Sequence, residues 1–176
     1  MIILETNRLY LREFSTDDAE HFYLLNSDPE VTRYTGDSAF ENIAAARKFL
    51  DEYIYNYSDL TNKTLPIGRW AVITKDENNL IGWCGLKHNN ELNEVDLGYR
   101  LFRNHWGKGY ATEAAKACIK FGHDKLGIKK IVGRAMKLNT ASINVLEKCG
   151  MTFSHEVVFK EHDGVLYAIG QKSTVI

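Results

Sequence analysis

Long apolar runs, paired cysteines, clustered metal ligands and basic tracts are all missing from this chain. Its 176 residues include only 3 cysteines and 2 prolines. Cys84, Cys118 and Cys149 lie far apart with no C-x-x-C pair. They read as buried thiols of a reduced compartment, so the expected location is the cytoplasm. No apolar stretch approaches the roughly 18–20 residues of a membrane span, and the opening mixes Glu5, Arg8, Arg12 and Glu13 into its apolar residues, so neither a membrane partner nor a targeting signal is expected. The histidines (His21, His88, His105, His123, His155 and His162) show no H-x-x-x-H spacing, and no metal is expected. Lys and Arg form no block interleaved with aromatics, which excludes nucleic acid as an expected partner. The triplets Asn56-Tyr57-Ser58 and Asn62-Lys63-Thr64 carry little weight as glycosylation signals without a secretion signal. Repeats and low-complexity linkers are absent, and the length fits one domain over 1–176.

What the chain has is an uneven charge. The net value is −1, yet residues through Thr64 carry 12 acidic against 6 basic side chains and the remainder 11 against 16. Ordinary solvated surface accounts for this, and so does a second half that receives an anion while the first attracts a cation.

Periodicity gives a mixed α/β order. A strand is expected over Leu4–Phe14, then a helix begun by Ser15 with Asp18, carrying Ala19, Phe22 and Tyr23 inward and stopped by Asn26 and Pro29. Ser38 with Glu41 reads as a second capping box before an amphipathic helix marked by Ile43, Ala46, Phe49, Leu50, Tyr53, Ile54 and Tyr57. Three strands near Arg69–Thr74, Leu80–His88 and Glu94–Leu101 should form an antiparallel meander. A helix past Gly107 shows Ala111, Ala114, Ala115, Cys118, Ile119, Gly122 and Leu126 on one face. A strand over Lys130–Met136, a short helix over Ala141–Cys149 and strands near Met151–Phe159 and Val165–Gln171 complete a sheet of about seven strands with about four helices.

The chemistry concentrates in Arg103-Asn104-His105-Trp106-Gly107-Lys108-Gly109-Tyr110-Ala111-Thr112-Glu113, a glycine-rich turn between a strand and a long helix. Such a turn offers unpaired N–H groups at the positive end of a helix dipole, which suits phosphate. Gly107 and Gly109 allow close main-chain approach, and Lys108 is either a ligand cation or plain surface. The P-loop pattern is absent. The dinucleotide pattern G-x-G-x-x-G has Thr112 in its third place, and a tight turn that binds nothing is a further possibility.

The run from Asp96-Leu97-Gly98-Tyr99 through Trp106-Gly107-Lys108-Gly109-Tyr110-Ala111-Thr112-Glu113-Ala114, followed by Asn139-Thr140-Ala141-Ser142-Ile143-Asn144 to Cys149-Gly150-Met151, resembles the GNAT superfamily of acetyl-CoA-dependent N-acetyltransferases. The opening Glu5-Thr6-Asn7-Arg8-Leu9-Tyr10-Leu11-Arg12 resembles its Rim-type branch, which includes ribosomal-protein N-terminal acetyltransferases. The resemblance implies a GNAT fold with acetyl-CoA as co-substrate. Leu101 and Phe102 would pair through the main chain with pantetheine. Arg103 and Trp106 to Thr112 would surround the pyrophosphate, with Trp106 where the family signature has Gln or Arg. Asn139, Ser142 and Asn144 would lie along the cofactor, although Asn139 and Asn144 also read as a helix cap and a first-turn polar residue. It further implies a possible homodimer.

An acetyl thioester is already activated, so the protein must hold a neutral amine in near-attack geometry and stabilise the developing oxyanion. An α-amine of pKa about 8 needs a weaker base than lysine at about 10.4. Asp96, at a position resembling the family's acidic residue, is the first candidate base, alongside a plain cross-strand contact; Glu161, Glu94 and His88 are weaker candidates. Leu146 stands where many family members carry a tyrosine acid, which leaves Ser142 or water to serve the thiolate. Arg33, Tyr34, Phe40 and the stretch Glu161–Tyr167 should line the acceptor pocket. The function expected is acetyl transfer to a primary amine, either a protein N-terminus or a small cationic amine. A non-catalytic acyl-CoA-binding regulatory domain and a dinucleotide-binding module are the alternatives.

Overall fold

Alternating apolar residues on the β segments and 3.6-residue stripes on the helices require each element to bury one face, and a single sheet satisfies them all. A computed structural model describes residues 1–58 and 67–171. The strands are β1 (Ile2–Glu5), β2 (Leu9–Arg12), β3 (Arg69–Thr74), β4 (Leu80–Asn89), β5 (Glu94–Leu101), β6 (Lys130–Met136), β7 (Thr152–Phe159) and β8 (His162–Gly170). The helices are α1 (Ala19–Ser27), α2 (Pro29–Thr32), α3 (Ile43–Ser58), α4 (Tyr110–Asp124) and α5 (Thr140–Lys148). The sheet runs β1-β2-β3-β4-β5-β6-β8-β7. Every neighbouring pair is antiparallel except β5 and β6, which are parallel. Residues 62–64 of the second glycosylation-like triplet lie outside the described residues.

Three expectations change. The N-terminal strand is a hairpin, because Thr6 donates its N–H to the Leu9 carbonyl (2.8 Å) and accepts the Leu9 N–H on Oγ1 (3.0 Å), which reverses the chain without glycine or proline. The box of Ser38 with Glu41 does not open α3; Asn42 does, its Oδ1 accepting the Ala45 N–H at 2.9 Å. Pro29 ends α1 but also starts α2, where the missing N–H costs nothing and Asp28 accepts the Glu30 N–H at 2.9 Å. The box at Ser15 forms as expected, with the Ser15 N–H donated to the Asp18 carboxylate at 2.8 Å and Arg12 holding both its oxygens at 2.7 Å.

The two sheet faces are unlike. One carries Leu9, Leu11, Trp70, Val72, Cys84, Leu86, Leu97 and Ile131 against the small-residue stripe of α4. Trp70 meets Phe121 edge to face at 5.8 Å. Full burial of side chains such as Leu9 and Leu86 contributes about 2 kcal/mol each. The other face carries Tyr10, Ala71, Ile73 and Trp83 against Phe14, Phe22, Leu50 and Tyr53. Beyond Trp83, along β5 and β6, this second face turns from apolar to charged.

Candidate active site

The parallel pair is where the sheet opens. β5 and β6 bridge only at Val95 with Ile131 and Asp96 with Val132. β5 runs on to Leu101 beside β4, while β6 follows β8 along its whole length. The two therefore splay apart beyond Asp96. Register decides which main-chain groups face the gap. Phe102 donates its N–H to Ile81 at 2.9 Å, so the even residues of β5 bond β4. The second bridge takes the Leu97 N–H for the Val132 carbonyl, so the Leu97 C=O, the N–H and C=O of Tyr99 and the Leu101 N–H are the groups that point into the opening.

This narrows the expectation for Leu101 and Phe102 to the Leu101 N–H. The Phe102 N–H belongs to β4, and the Leu101 carbonyl accepts the Trp106 indole N–H at 2.8 Å. The other main-chain groups facing the gap lie earlier, at the Leu97 C=O and at Tyr99. Trp106, half exposed, caps the end of β5.

The turn that follows has the form of an anion cradle. Gly107 (φ +72°) and Gly109 (φ +81°) are left-handed, a conformation that strains other residues. A Cβ on Gly107 would meet nothing within 4 Å, so that glycine is required by backbone conformation alone. The Glu113 N–H is taken by the Gly109 carbonyl at 3.0 Å, whereas the N–H groups of Tyr110, Ala111 and Thr112 have no acceptor within α4. Arg103 is exposed and lies 3.7 Å from Asp28. Lys108 has an exposed side chain, and its carbonyl accepts from Arg8 Nη1 at 3.0 Å.

The α5 end borders the other side of the gap. Asn139 is a helix cap, its Oδ1 accepting the Ser142 N–H at 3.1 Å. The Ser142 carbonyl accepts the Tyr99 hydroxyl at 2.9 Å, which ties β5 to α5 across the opening. Burial pushes the Tyr99 phenol up from its ordinary value, so it stays a neutral donor. Asn144 is exposed. Leu146 is 1% exposed, and a Cβ on Gly133 would lie 2.6 Å from its Cδ2, so this side chain fills the core under the splay.

On the other sheet face Asp96 lies inside a charge network. Arg69 crosses from β3 over two glycines in register with it, Gly85 and Gly98. A Cβ on Gly98 would lie 2.6 Å from its guanidinium. Arg69 Nη2 reaches Asp96 Oδ2 at 2.6 Å, and Arg134 Nη1 lies 3.5 Å from Oδ1. Arg134 also pairs with Glu94. Both oxygens of Asp96 thus face cations. The cross-strand contact weighed for this residue is present, and the Asp96 side chain keeps 24% exposure beside it. Of the weaker candidates, Glu94 is engaged by Arg134, Glu161 is exposed at the β7–β8 turn, and His88 Nδ1 lies 2.7 Å from Asn90 at the far end of β4.

Arg100 continues the row. Its guanidinium and that of Arg69 lie 5.4 Å and 5.5 Å from the Trp83 ring. Arg100 bonds Asn26 on α1 and, at 2.6 Å, Asp37 of the α2–α3 loop. Lys160 at the β7–β8 turn is 3.3 Å from the same carboxylate. The loop and the turn therefore meet above the charged face. Burial opposes the Asp37 charge, but Arg100 and Lys160 outweigh it and hold the carboxyl below its usual range.

Of the residues expected to line an acceptor pocket, Phe40 joins Phe22 and Phe49 in an aromatic cluster at 5.6–5.7 Å. Arg33 lies over Tyr34 at 5.3 Å. Tyr167 turns away, donating to Glu147 of α5 at 2.9 Å. The sequence reading passed over Arg69, Arg100, Arg134 and Arg8. The alternating polar residues Glu94, Asp96 and Arg100 on β5 were the available signal for the first three. An open depression of about 550 Å³ lined by His88, Glu94, Leu126 and Lys130 lies at the opposite end of β5 from the glycine turn.

Comparison with known proteins agrees with this geometry. Residues 8–152 match the family model described as an acetyltransferase (GNAT) domain. The chain is 33% identical over 164 residues to the uncharacterized N-acetyltransferase p20 of Bacillus licheniformis, covering 93% of this chain and 88% of that one. It is 28% identical to the FsC-acetyl coenzyme A-N(2)-transacetylase of Aspergillus fumigatus, covering 91% of this chain and 68% of that one. A GNAT-family acetyltransferase structure from Bacillus anthracis superposes with a TM-score of 0.82 at 25% identity, covering 97% of this chain and 99% of that one. With its splayed parallel pair and left-handed glycine turn, this chain belongs to the GNAT acetyltransferase family.

Proposed function

We propose that the protein transfers the acetyl group of acetyl-CoA directly to a primary amine. The observation that carries this is the opening between β5 and β6, with the Leu97 C=O and the Tyr99 main chain facing it, beside the Gly107–Thr112 cradle. The Leu97 C=O and the Tyr99 main chain pair with the pantetheine arm, and the Tyr99 N–H is the donor for the thioester carbonyl. The N–H groups of Tyr110, Ala111 and Thr112 face the pyrophosphate. Arg103, Trp106, Lys108, Ser142 and Asn144 border that path. The thioester supplies the activated acyl group. As the amine nitrogen bonds the acetyl carbon, the carbon–sulfur bond breaks and the amine proton passes to the departing sulfur. None of the cysteines is required as a nucleophile.

In this reading Asp96 acts through Arg69 and Arg134 rather than as the proton acceptor, and water or Ser142 serves the thiolate. The acceptor approaches from the charged face, under the α2–α3 loop and the β7–β8 turn. A protein N-terminal α-amine suits a site without a free base, since at pKa about 8 it is partly neutral. The opening Glu5–Arg12 supports a Rim-type enzyme of this kind, and the Aspergillus relative, named for transfer to N(2), supports transfer to nitrogen.

The test is thiol release from acetyl-CoA against ribosomal-protein N-terminal peptides, lysine peptides, polyamines and aminoglycosides. Turnover on the N-terminal peptides is expected. Acetyl-CoA binding with silence across all four classes would favour the non-catalytic regulatory reading.

A further inference from the structure

The opening of the chain and the glycine turn are about a hundred residues apart in sequence, yet they share a compact set of contacts. Glu113, in the first turn of α4, accepts the Thr6 hydroxyl at 2.6 Å and the Arg8 N–H at 2.9 Å through Oε1. Its Oε2 takes Arg8 Nε at 2.7 Å and Nη2 at 2.6 Å. The same guanidinium donates to the Lys108 carbonyl at 3.0 Å and lies 4.5 Å from the centre of the Tyr110 ring. A Cβ on Gly109 would stand 3.4 Å from Arg8 Nη2. Arg8 thus touches Lys108 and Tyr110 and lies beside Gly109 while remaining partly open to solvent.

Two consequences follow from elementary chemistry. A trans peptide carries its C=O and the next N–H on opposite sides. Holding the Lys108 carbonyl from the Arg8 side therefore turns the Gly109 N–H away from Arg8. Glu113 is also a carboxylate at the mouth of a site suited to anions. Burial opposes its charge, but the bonds from Thr6 and Arg8 outweigh burial and hold it below the usual carboxylate range. Without the Arg8 guanidinium that negative charge, close to the turn, would keep only the Thr6 hydroxyl and the residue 8 N–H and no balancing cation.

We propose that Arg8 is a positioning residue of the cofactor site: it neutralises Glu113 and orients the Lys108–Gly109 peptide, so that the turn accepts the phosphates of acetyl-CoA. This rests on the acetyl-CoA reading above. It gives the β1–β2 turn a task that its distance from the splay does not suggest. The task concerns phosphate affinity and leaves the chemistry at the splay untouched.

The experiment measures kcat and KM for acetyl-CoA, and for S-acetyl-pantetheine, which lacks the phosphates, in wild type, Arg8→Ala, Arg8→Lys, Glu113→Gln and the double variant Arg8→Ala/Glu113→Gln, with acetyl-CoA Kd measured calorimetrically. Arg8→Ala is expected to raise KM and Kd for acetyl-CoA by about tenfold or more, the scale of one lost charge-assisted contact, with kcat little changed and KM for acetyl-pantetheine unaltered. Removing Glu113 in the Arg8→Ala background is expected to restore part of the affinity, because the unpaired carboxylate goes with it, and Arg8→Lys to retain part of it. An Arg8→Ala protein with unaltered acetyl-CoA affinity overturns the inference alone. Equal losses with both donors, or a double variant weaker than Arg8→Ala, reduce Arg8 to a structural tie and overturn it as well. A wild-type protein that binds no acetyl-CoA overturns the cofactor reading itself.

Discussion

Replacing Asp96 with asparagine separates two roles a carboxylate can play at the foot of the splay. The side chains of Asp96 and Arg69 are 24% and 17% exposed, so the pair is only partly screened. The change removes the charge behind a 2.6 Å bond and a 3.5 Å contact, and leaves Arg69 and Arg134 short of an anion. The expected loss is about 2 kcal/mol, between the net worth of a charge-assisted bond and the larger cost of a deeply buried orphan charge. For a chain of this size that corresponds to a fall in Tm of roughly 4–8 °C. A paired carboxylate that does not take the amine proton should leave kcat within about tenfold, with the shape of the pH–rate profile unchanged. General-base loss typically costs about a hundredfold or more. The assays are differential scanning calorimetry and kcat across pH 6–9 with the acceptor the amine panel identifies. A hundredfold or greater loss of kcat with unaltered Tm, and loss of the acidic limb of the profile, would refute the reasoning and make Asp96 the base.

Other outcomes follow from particular residues. Gly109→Ala and Gly107→Ala each place a Cβ on a left-handed backbone, at about 1–3 kcal/mol of strain, and both should weaken acetyl-CoA binding; titration calorimetry and thermal melts check this. Leu146→Tyr should lower stability by about 1–3 kcal/mol through overpacking against Gly133, visible as a lower denaturation midpoint, and should not raise kcat. Burial, helped by nearby Cys84, pushes the Cys149 thiol from 9.0 up to about 12. Native protein should therefore react slowly at Cys149 with a thiol reagent at pH 8, and all three buried cysteines should become accessible to it on unfolding. The same thiol ionises first in the unfolded chain, so its contribution to stability is complete below pH 9.0 and is lost as pH rises from there toward about 12, which chemical denaturation at pH 8 and 10.5 would register.

Where local pattern decides structure, the chain can be read directly. β3, β5 and β6 follow from alternation, and the Gly107 and Gly109 turn from two glycines where a strand meets a helix. The first helix start follows from Ser15 and Asp18. What is hidden depends on distance. The break between β1 and β2 has no glycine or proline to mark it, and Thr6 alone performs the reversal. Ser38 with Glu41 satisfies the cap pattern, but Asn42 stands closer to the apolar stripe and takes the role. Arg69 reaches Asp96 across β4 over Gly98, where a Cβ would meet its guanidinium, and no short window joins those residues. The same holds for Arg8 and Glu113, each an ordinary surface charge until the hairpin folds onto α4. Leu101 and Phe102 lie at the end of the strand that borders the opening, but register, which sequence does not display, gives the Phe102 N–H to β4 and leaves of this pair only the Leu101 N–H facing the gap.

The most direct measurement is a titration of ¹⁵N-labelled protein with acetyl-CoA, followed by amide NMR shifts. The account requires the largest changes at Leu97 and Tyr99 on the open edge of β5 and at Gly107 to Thr112, saturating together. Changes confined to the depression around His88 and Lys130, or none at all, would contradict it.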